Sequence, residues 1–336
     1  MPKEIDKSII EGLVRYKRID FNDLGYINCI RHNSDMKDFG NRQEYDKAIK
    51  EDDEFLLTLL IAYSFERQGF DSRLPQCTMG CVFYSDPRNK TKTHPVSVLI
   101  ALKEIEEEYG THEITKLIQR EGIENLAKKW FVRTIEHHKK SKRGFNEKDF
   151  NTKHLESFLQ FFEDSGISEL RNTISNNQLN AAYDLLIKGI EGSKKIKGIG
   201  PKVAKLIIRD LVFSLTNWGK DEELDSPILE DATVLSYAIP IDLWVRRISL
   251  SIPIIGNKVK DSLTISDLAE GNLIDRIDEK LSFAIAELCY TMKLNPMRFD
   301  YGAYLFGFNE IKRKIPLEGI YDKLQKNFVK ANSTLN

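Results

Sequence analysis

KIKGIGPKVAKLIIRD, residues 195–210, is the stretch from which the rest of the chain takes its meaning. Gly198, Ile199 and Gly200 form a tight turn, and Pro201 fits the first position of a helix, where its missing N–H costs nothing. The two glycines let the backbone bend and approach a ligand with no Cβ in the way. The helix that follows directs its first N–H groups outward. Together with the positive end of the helix dipole they make a site for a phosphate. Lys194, Lys195, Lys197, Lys202 and Lys205 put positive charge around it. One such site grips one phosphate, so the partner implied is a nucleic-acid backbone. A Gly-x-Gly pair alone also occurs in ordinary helix connections. Here Ile199 separates the glycines, a helical pattern precedes them at 179–189 and another follows, which makes a helix-hairpin-helix over about 179–215. Turn carbonyls of such a hairpin can also hold a monovalent cation facing a phosphate oxygen.

The chain has 336 residues, long enough for two lobes or one elaborated domain. Its net charge of −1 means that a nucleic-acid face must be a local patch balanced by acid elsewhere. The four cysteines (Cys29, Cys77, Cys81, Cys289) are scattered, which argues against a disulfide framework. No apolar run approaches a membrane span, and the N-terminal pattern is amphipathic and unlike a signal peptide. The expectation is an intracellular monomer, cytoplasmic or nucleoid-associated, with no membrane contact.

Helical periodicity dominates, and the expected fold class is all-α. Helices are expected at 9–16, 54–68, 96–109, 111–131, 153–163, 178–189, 203–215, 243–251, 277–292 and 302–314. The 54–68 run is the most apolar and belongs in a core. Thr111 is expected to cap the helix after Gly110, with Glu113 in its first turn. Residues 82–84 form a possible short strand, within a long loop over 70–94. The acidic stretch 218–237, containing Pro227, is expected to be an insertion or surface excursion. The organisation expected is an N-terminal helical segment (1–50), a helical core with the hairpin and the acidic insertion (51–250), and a C-terminal helical segment (251–336).

Downstream of the hairpin stands AIPIDLWVRRI, residues 238–248. A helix-hairpin-helix followed by an apolar-Pro-apolar-Asp frame and an Arg-bearing helix resembles the HhH-GPD superfamily of DNA base-excision glycosylases. The resemblance covers residues 155–250 well and 50–310 loosely. It implies a two-lobed helical fold with a cleft between the lobes, acting on double-stranded DNA that contains a lesion. It implies that Asp242 is the catalytic carboxylate and that Lys202 stands where bifunctional members carry their nucleophile. Gly198, Ile199, Gly200, Lys195, Lys197, Lys205 and Arg247 would contact DNA. Ser64 and Gln68 correspond to a Ser and Gln that face DNA in many members. The region 294–307 resembles the C-terminal helical segment of some members, and Asp300, Tyr301 and Tyr304 there are candidates to line a base pocket.

Two departures from the family pattern stand out. Lys202 and Asp242 lie forty positions apart, farther than in familiar members, with the acidic stretch as the surplus. Asp221, the gapless alternative to Asp242, lacks the apolar-Pro-apolar frame. Endonuclease III-like members end in four cysteines that hold an iron–sulfur cluster, whereas only Cys289 occurs in that region, so no such cluster and no other cofactor or metal is expected.

The chemistry implied is base flipping followed by attack at C1′. The Asp242 carboxylate would stabilise positive charge on the deoxyribose. Lys202, as a neutral amine, would form a Schiff base, with β-elimination and strand cleavage after it. An oxidised purine such as 8-oxoguanine is the first substrate choice, because lysine-bearing, cluster-free members often act on it. Plainer readings stand beside these. Lys202 can contact a phosphate, Asp242 can cap the helix that begins at Leu243, and Arg247 can be structural. The CxxxC pair Cys77 and Cys81 is a weak zinc candidate, and His137 and His138 sit beside a basic run. Tyr301 and Tyr304, like Phe145, Trp130 and Trp244, can equally be core. The rival functions are a DNA-binding module without chemistry and a metal-dependent nuclease using the acidic 221–231 loop.

Overall fold

A computed structural model of the chain describes residues 3–16, 42–64, 95–140, 151–190, 195–221, 223–224, 231–264, 267, 273–311 and 314–329. Gln68, Cys77, Cys81, Phe145, Lys194 and the expected strand at 82–84 lie outside them. Among the described residues there are sixteen α-helices and no strand, only an isolated bridge between Glu223 and Leu294. The described residues are therefore all-α.

In chain order the helices are α1 (Glu4–Val14), α2 (Arg42–Glu51), α3 (Asp53–Ser64), α4 (Pro95–Tyr109), α5 (Ile114–Glu121), α6 (Ile123–Lys140), α7 (Thr152–Glu163) and α8 (Gly166–Ser175). There follow α9 (Leu179–Lys188), α10 (Pro201–Leu215), α11 (Ala232–Leu235), α12 (Leu243–Ser251), α13 (Pro253–Ser262), α14 (Leu273–Thr291), α15 (Pro296–Glu310) and α16 (Leu317–Phe328). The chain forms two compact units. One comprises residues 19–176 and 181–207; the other comprises 1–18, 177–180 and 208–336, so the boundary falls within α10.

In the first of these, α3 is the central helix. Leu56, Leu57, Leu59, Leu60 and Ile61 are all fully buried, as its apolar sequence requires. α7, α8 and α4 touch it, and α6 lies along α4 and α7 with Trp130 fully buried. Arg171 of α8 ties the start of α3 down, donating from Nη1 to Asp53 (2.6 Å) and from Nε to the Ile49 carbonyl (2.8 Å). The expected single helix over 111–131 is two. Gly122, at φ +74°, ends α5, a backbone state that glycine adopts without penalty. Thr111 does accept from Glu113 N–H (3.2 Å), but the helix starts later, at Ile114, whose N–H is capped by Glu54 of α3 (2.6 Å).

In the other unit, α15 is central and packs against α1, α12 and α14. α1 and α15 approach so closely that a Cβ on Gly302 would overlap the Leu13 carbonyl oxygen. α16 closes over α1 and α12, and Tyr321 donates to the buried Asp6 (2.8 Å). Asn295 caps α15 through Met297 N–H (3.0 Å) and donates to the carbonyls of Trp218, Gly219 and Asp221. Trp218 is buried and donates to Asn177 (2.7 Å), and Leu224 N–H bonds the Lys293 carbonyl (2.9 Å). The first part of the acidic stretch is thus sewn into this unit, which corrects the expectation of a surface excursion; residues 225–230 lie outside the described ones.

Candidate nucleic-acid interface and carboxylate site

The hairpin is held by side chains from two other helices of its unit. Asn151 caps α7, and His154 reaches back to Asn151 through Nδ1. The other edge of the His154 ring lies against Gly198. Ser157 donates to the His154 carbonyl (2.7 Å) and accepts from Lys197 N–H (3.0 Å), which pins the turn to α7. Gly198 has φ +89°, and a Cβ there would sit 3.0 Å from Ser64 Cβ at the end of α3. Ile196 and Ile199 are buried on either side of the turn. Gly200 differs, because a Cβ there meets nothing within 4 Å. The helical ladder of α10 begins with Ala204 N–H on the Gly200 carbonyl (2.9 Å).

The outcome is a turn tied to α7 and seated on the end of α3, with an apolar inner side. Lys195 and Lys197 are exposed beside it, and Lys202 and Lys205 are half-buried on α10. Ser64 is buried, and its hydroxyl turns back to the Ile61 carbonyl (2.6 Å), so it supports the hairpin from within instead of facing a ligand. His137 and His138 fall in the last turn of α6, and their side chains are not among the described ones.

The other unit holds the carboxylate site. Asp242 is 7% exposed, and its Oδ1 accepts from Val245 N–H (2.7 Å), so it caps α12. Bonding at a helix N-terminus favours the charged form of a carboxylate. Arg246, one turn on, makes a two-pronged bond to Asp278 of α14 (2.6 Å for each contact). Arg247 lies over the Trp244 ring at 5.5 Å and donates to the Ile315 carbonyl, so it serves packing within this unit.

Asp300, a base-pocket candidate, is 1% exposed and accepts from Arg209 Nη1 at 2.7 Å. Arg209 Nε donates to Asp210 at 2.9 Å. Burial pushes the Asp300 carboxyl up to about 7, against the pull of Arg209 and with the help of the charges on Asp242 and Asp210. Burial opposes the Arg209 charge, but Asp210 and Asp300 outweigh it and hold the guanidinium above its ordinary value. Tyr301 is half-buried and Tyr304 buried; Tyr304 stacks on the exposed Phe308 at 6.3 Å.

Arg209 and Asp210 belong to the quoted hairpin stretch, yet among its charged side chains only the lysines carry an expected role. The signal was a charged pair closing the apolar run Leu206–Ile207–Ile208. Among the described residues no group of His, Cys, Asp and Glu is arranged to hold a metal ion, and no helix is long and apolar enough to cross a membrane. No protein-family model, curated protein or solved structure matches the chain.

Proposed function

We propose that the protein is a DNA glycosylase of base-excision repair with an abasic-site lyase step. In this reading it removes a damaged or modified base, an oxidised purine such as 8-oxoguanine in the first instance, from double-stranded DNA. The hairpin grips a backbone phosphate through the first turn of α10 and the flanking lysines, a contact that positions without reading sequence. A monovalent cation on the turn carbonyls would add to that grip. The target nucleotide leaves the stack. Asp242 stabilises the positive charge that grows on the sugar as the glycosidic bond breaks. Lys202, as a neutral amine, donates its lone pair to C1′, and the base departs with the bonding electrons and takes up a proton. The C1′–O4′ bond then opens, O4′ taking a proton as the nitrogen gives one up, to leave a Schiff base. Loss of the C2′ proton from it expels the 3′-phosphate.

The observation that carries this reading is Asp242 itself. A nearly buried carboxylate on the N-terminal turn of α12 is more than a cap needs, since exposed Asp or Ser caps equally well. A second reading, a DNA-binding module without chemistry, is favoured by the hairpin alone, which is complete without any catalytic group.

Borohydride trapping on duplexes carrying a panel of lesions separates the two. We expect a covalent adduct with the wild type and none with Lys202→Ala. Asp242→Asn keeps the cap, because Asn and Asp cap equally, and removes only the charge. It should bind DNA as the wild type does and release base at least about a hundredfold more slowly, the scale of one lost electrostatic group in a catalytic site. Unaltered base release by Asp242→Asn would refute the assignment. No adduct and no base release from any lesion would leave the binding module.

A further inference from the structure

The hairpin lysines have a basic neighbour on another helix of their unit. Lys153 is exposed on the first turn of α7. It shares a helix face with Ser157, and side chains at that spacing lie about 6 Å apart. Ser157 in turn accepts from Lys197 N–H at 3.0 Å, so Lys153 stands within roughly 10 Å of the hairpin backbone. His154, the next residue, joins the two: Nδ1 turns to Asn151 at the cap, and the far edge of the ring lies against Gly198. Lys195 and Lys197 are exposed on the hairpin itself. Among the described residues no carboxylate forms an ion pair with Lys153, Lys195 or Lys197. Elsewhere in the same unit Lys47, Lys103, Lys116, Lys128, Lys129 and Lys188 each pair with a carboxylate. The nearest acid of α7, Glu156, acts instead on Lys128 of α6. Unpaired cations gathered in one place repel one another, and a polyanion turns that cost into attraction. One strand of a duplex carries a phosphate every ~3.4 Å along its axis, so a patch of this width meets more than one of them.

We propose that Lys153 is a further backbone contact of the hairpin clamp, so that the clamp spans neighbouring phosphates of a DNA duplex instead of gripping one. The proposal rests on the reading of the hairpin as a DNA clamp and on none of the chemistry given to Lys202 and Asp242. A contact of this kind reads no sequence. It fixes orientation: a duplex held at one phosphate can pivot about it, and a contact from a second helix resists the pivot.

The test is fluorescence anisotropy of the whole chain on labelled duplexes of several sequences, over a range of salt concentrations. Each phosphate neutralised adds about 0.9 to the slope of log affinity against log salt. Lys153→Gln should lower that slope by about 1 and weaken binding alike on every sequence, and Lys197→Gln should do the same. Lys50→Gln is the control. Lys50 is exposed too, but it precedes the head of α3, whereas the hairpin meets Ser64 at the end of α3, and the helix between them is about 18 Å long. Its slope should equal that of the wild type. All three lysines are exposed, so the substitutions leave the core intact. An unchanged slope in Lys153→Gln overturns the proposal; the hairpin clamp still stands if Lys197→Gln lowers the slope. Equal losses in Lys153→Gln and Lys50→Gln also overturn it, because net charge alone would then account for both. A wild type that binds no duplex, or binds without dependence on salt, overturns the hairpin reading and this proposal with it. The glycosylase chemistry is decided separately, by the borohydride trap.

Discussion

Gly198 and Gly200 stand two positions apart and carry different burdens. Gly198 is held at φ +89° with Ser64 and His154 against it, so an alanine there meets both a strained backbone and a wall. Gly198→Ala should destabilise the protein by about 1–2 kcal/mol, the cost of a left-handed L-residue. Gly200 has open space where its Cβ would be. Gly200→Ala should unfold at the wild-type urea concentration yet bind duplex DNA roughly fivefold more weakly, the worth of one hydrogen bond of about 1 kcal/mol. Anisotropy titrations and urea unfolding of the two variants check the pair. Equal DNA affinity for Gly200→Ala and wild type would mean that no ligand approaches that backbone. The turn itself was legible because glycine, proline and lysine act locally. Its supports were not, since Ser64, His154 and Ser157 reach it from α3 and α7, far away in sequence.

Among the elements, α12 and α15 take their positions from single capping side chains. Asn295 begins α15 and also holds the segment after α10 through the carbonyls of Trp218, Gly219 and Asp221. Asn295→Ala removes a cap and takes an amide donor away from buried carbonyls, which should cost about 2–4 kcal/mol in urea unfolding. A cost below about 1 kcal/mol would show that water replaces the amide. Strongly periodic helices were visible in advance: α12 falls on residues 243–251 as expected, and α3 is the buried helix that its run of leucines demanded. α2, α8, α13 and α16 have no counterpart among the expected helices, because their apolar stripes are narrow beside wide polar faces. The break at Gly122 was missed for a related reason, since a lone glycine inside a helical pattern is as often tolerated as it is a stop.

At the scale of the molecule, the buried charge cluster ties stability to pH. Asp300 takes up its proton at about pH 7 in the folded state, against about 3.9 for an unfolded aspartate. Between those values the folded protein binds more protons than the unfolded chain, so this contribution is full below about pH 4 and is lost as pH rises to about 7. The stability of the wild type relative to Asp300→Asn should therefore fall across that window by up to about 4 kcal/mol and level off above it. Urea unfolding of both proteins at a series of pH values measures the difference, and a pH-independent difference would rule the linkage out. The sequence by itself determined the helical class, the hairpin with its lysines, and an aspartate at the head of a helix. These follow from periodicity, turn chemistry and capping, which act over a few residues. Only the tertiary structure decided that α1 packs on α15 and α16, that Asp300 pairs with Arg209, and that Arg247 is spent on Trp244 and a carbonyl. Those are long-range choices, set by which buried surfaces and charges fit together once the chain has folded back on itself.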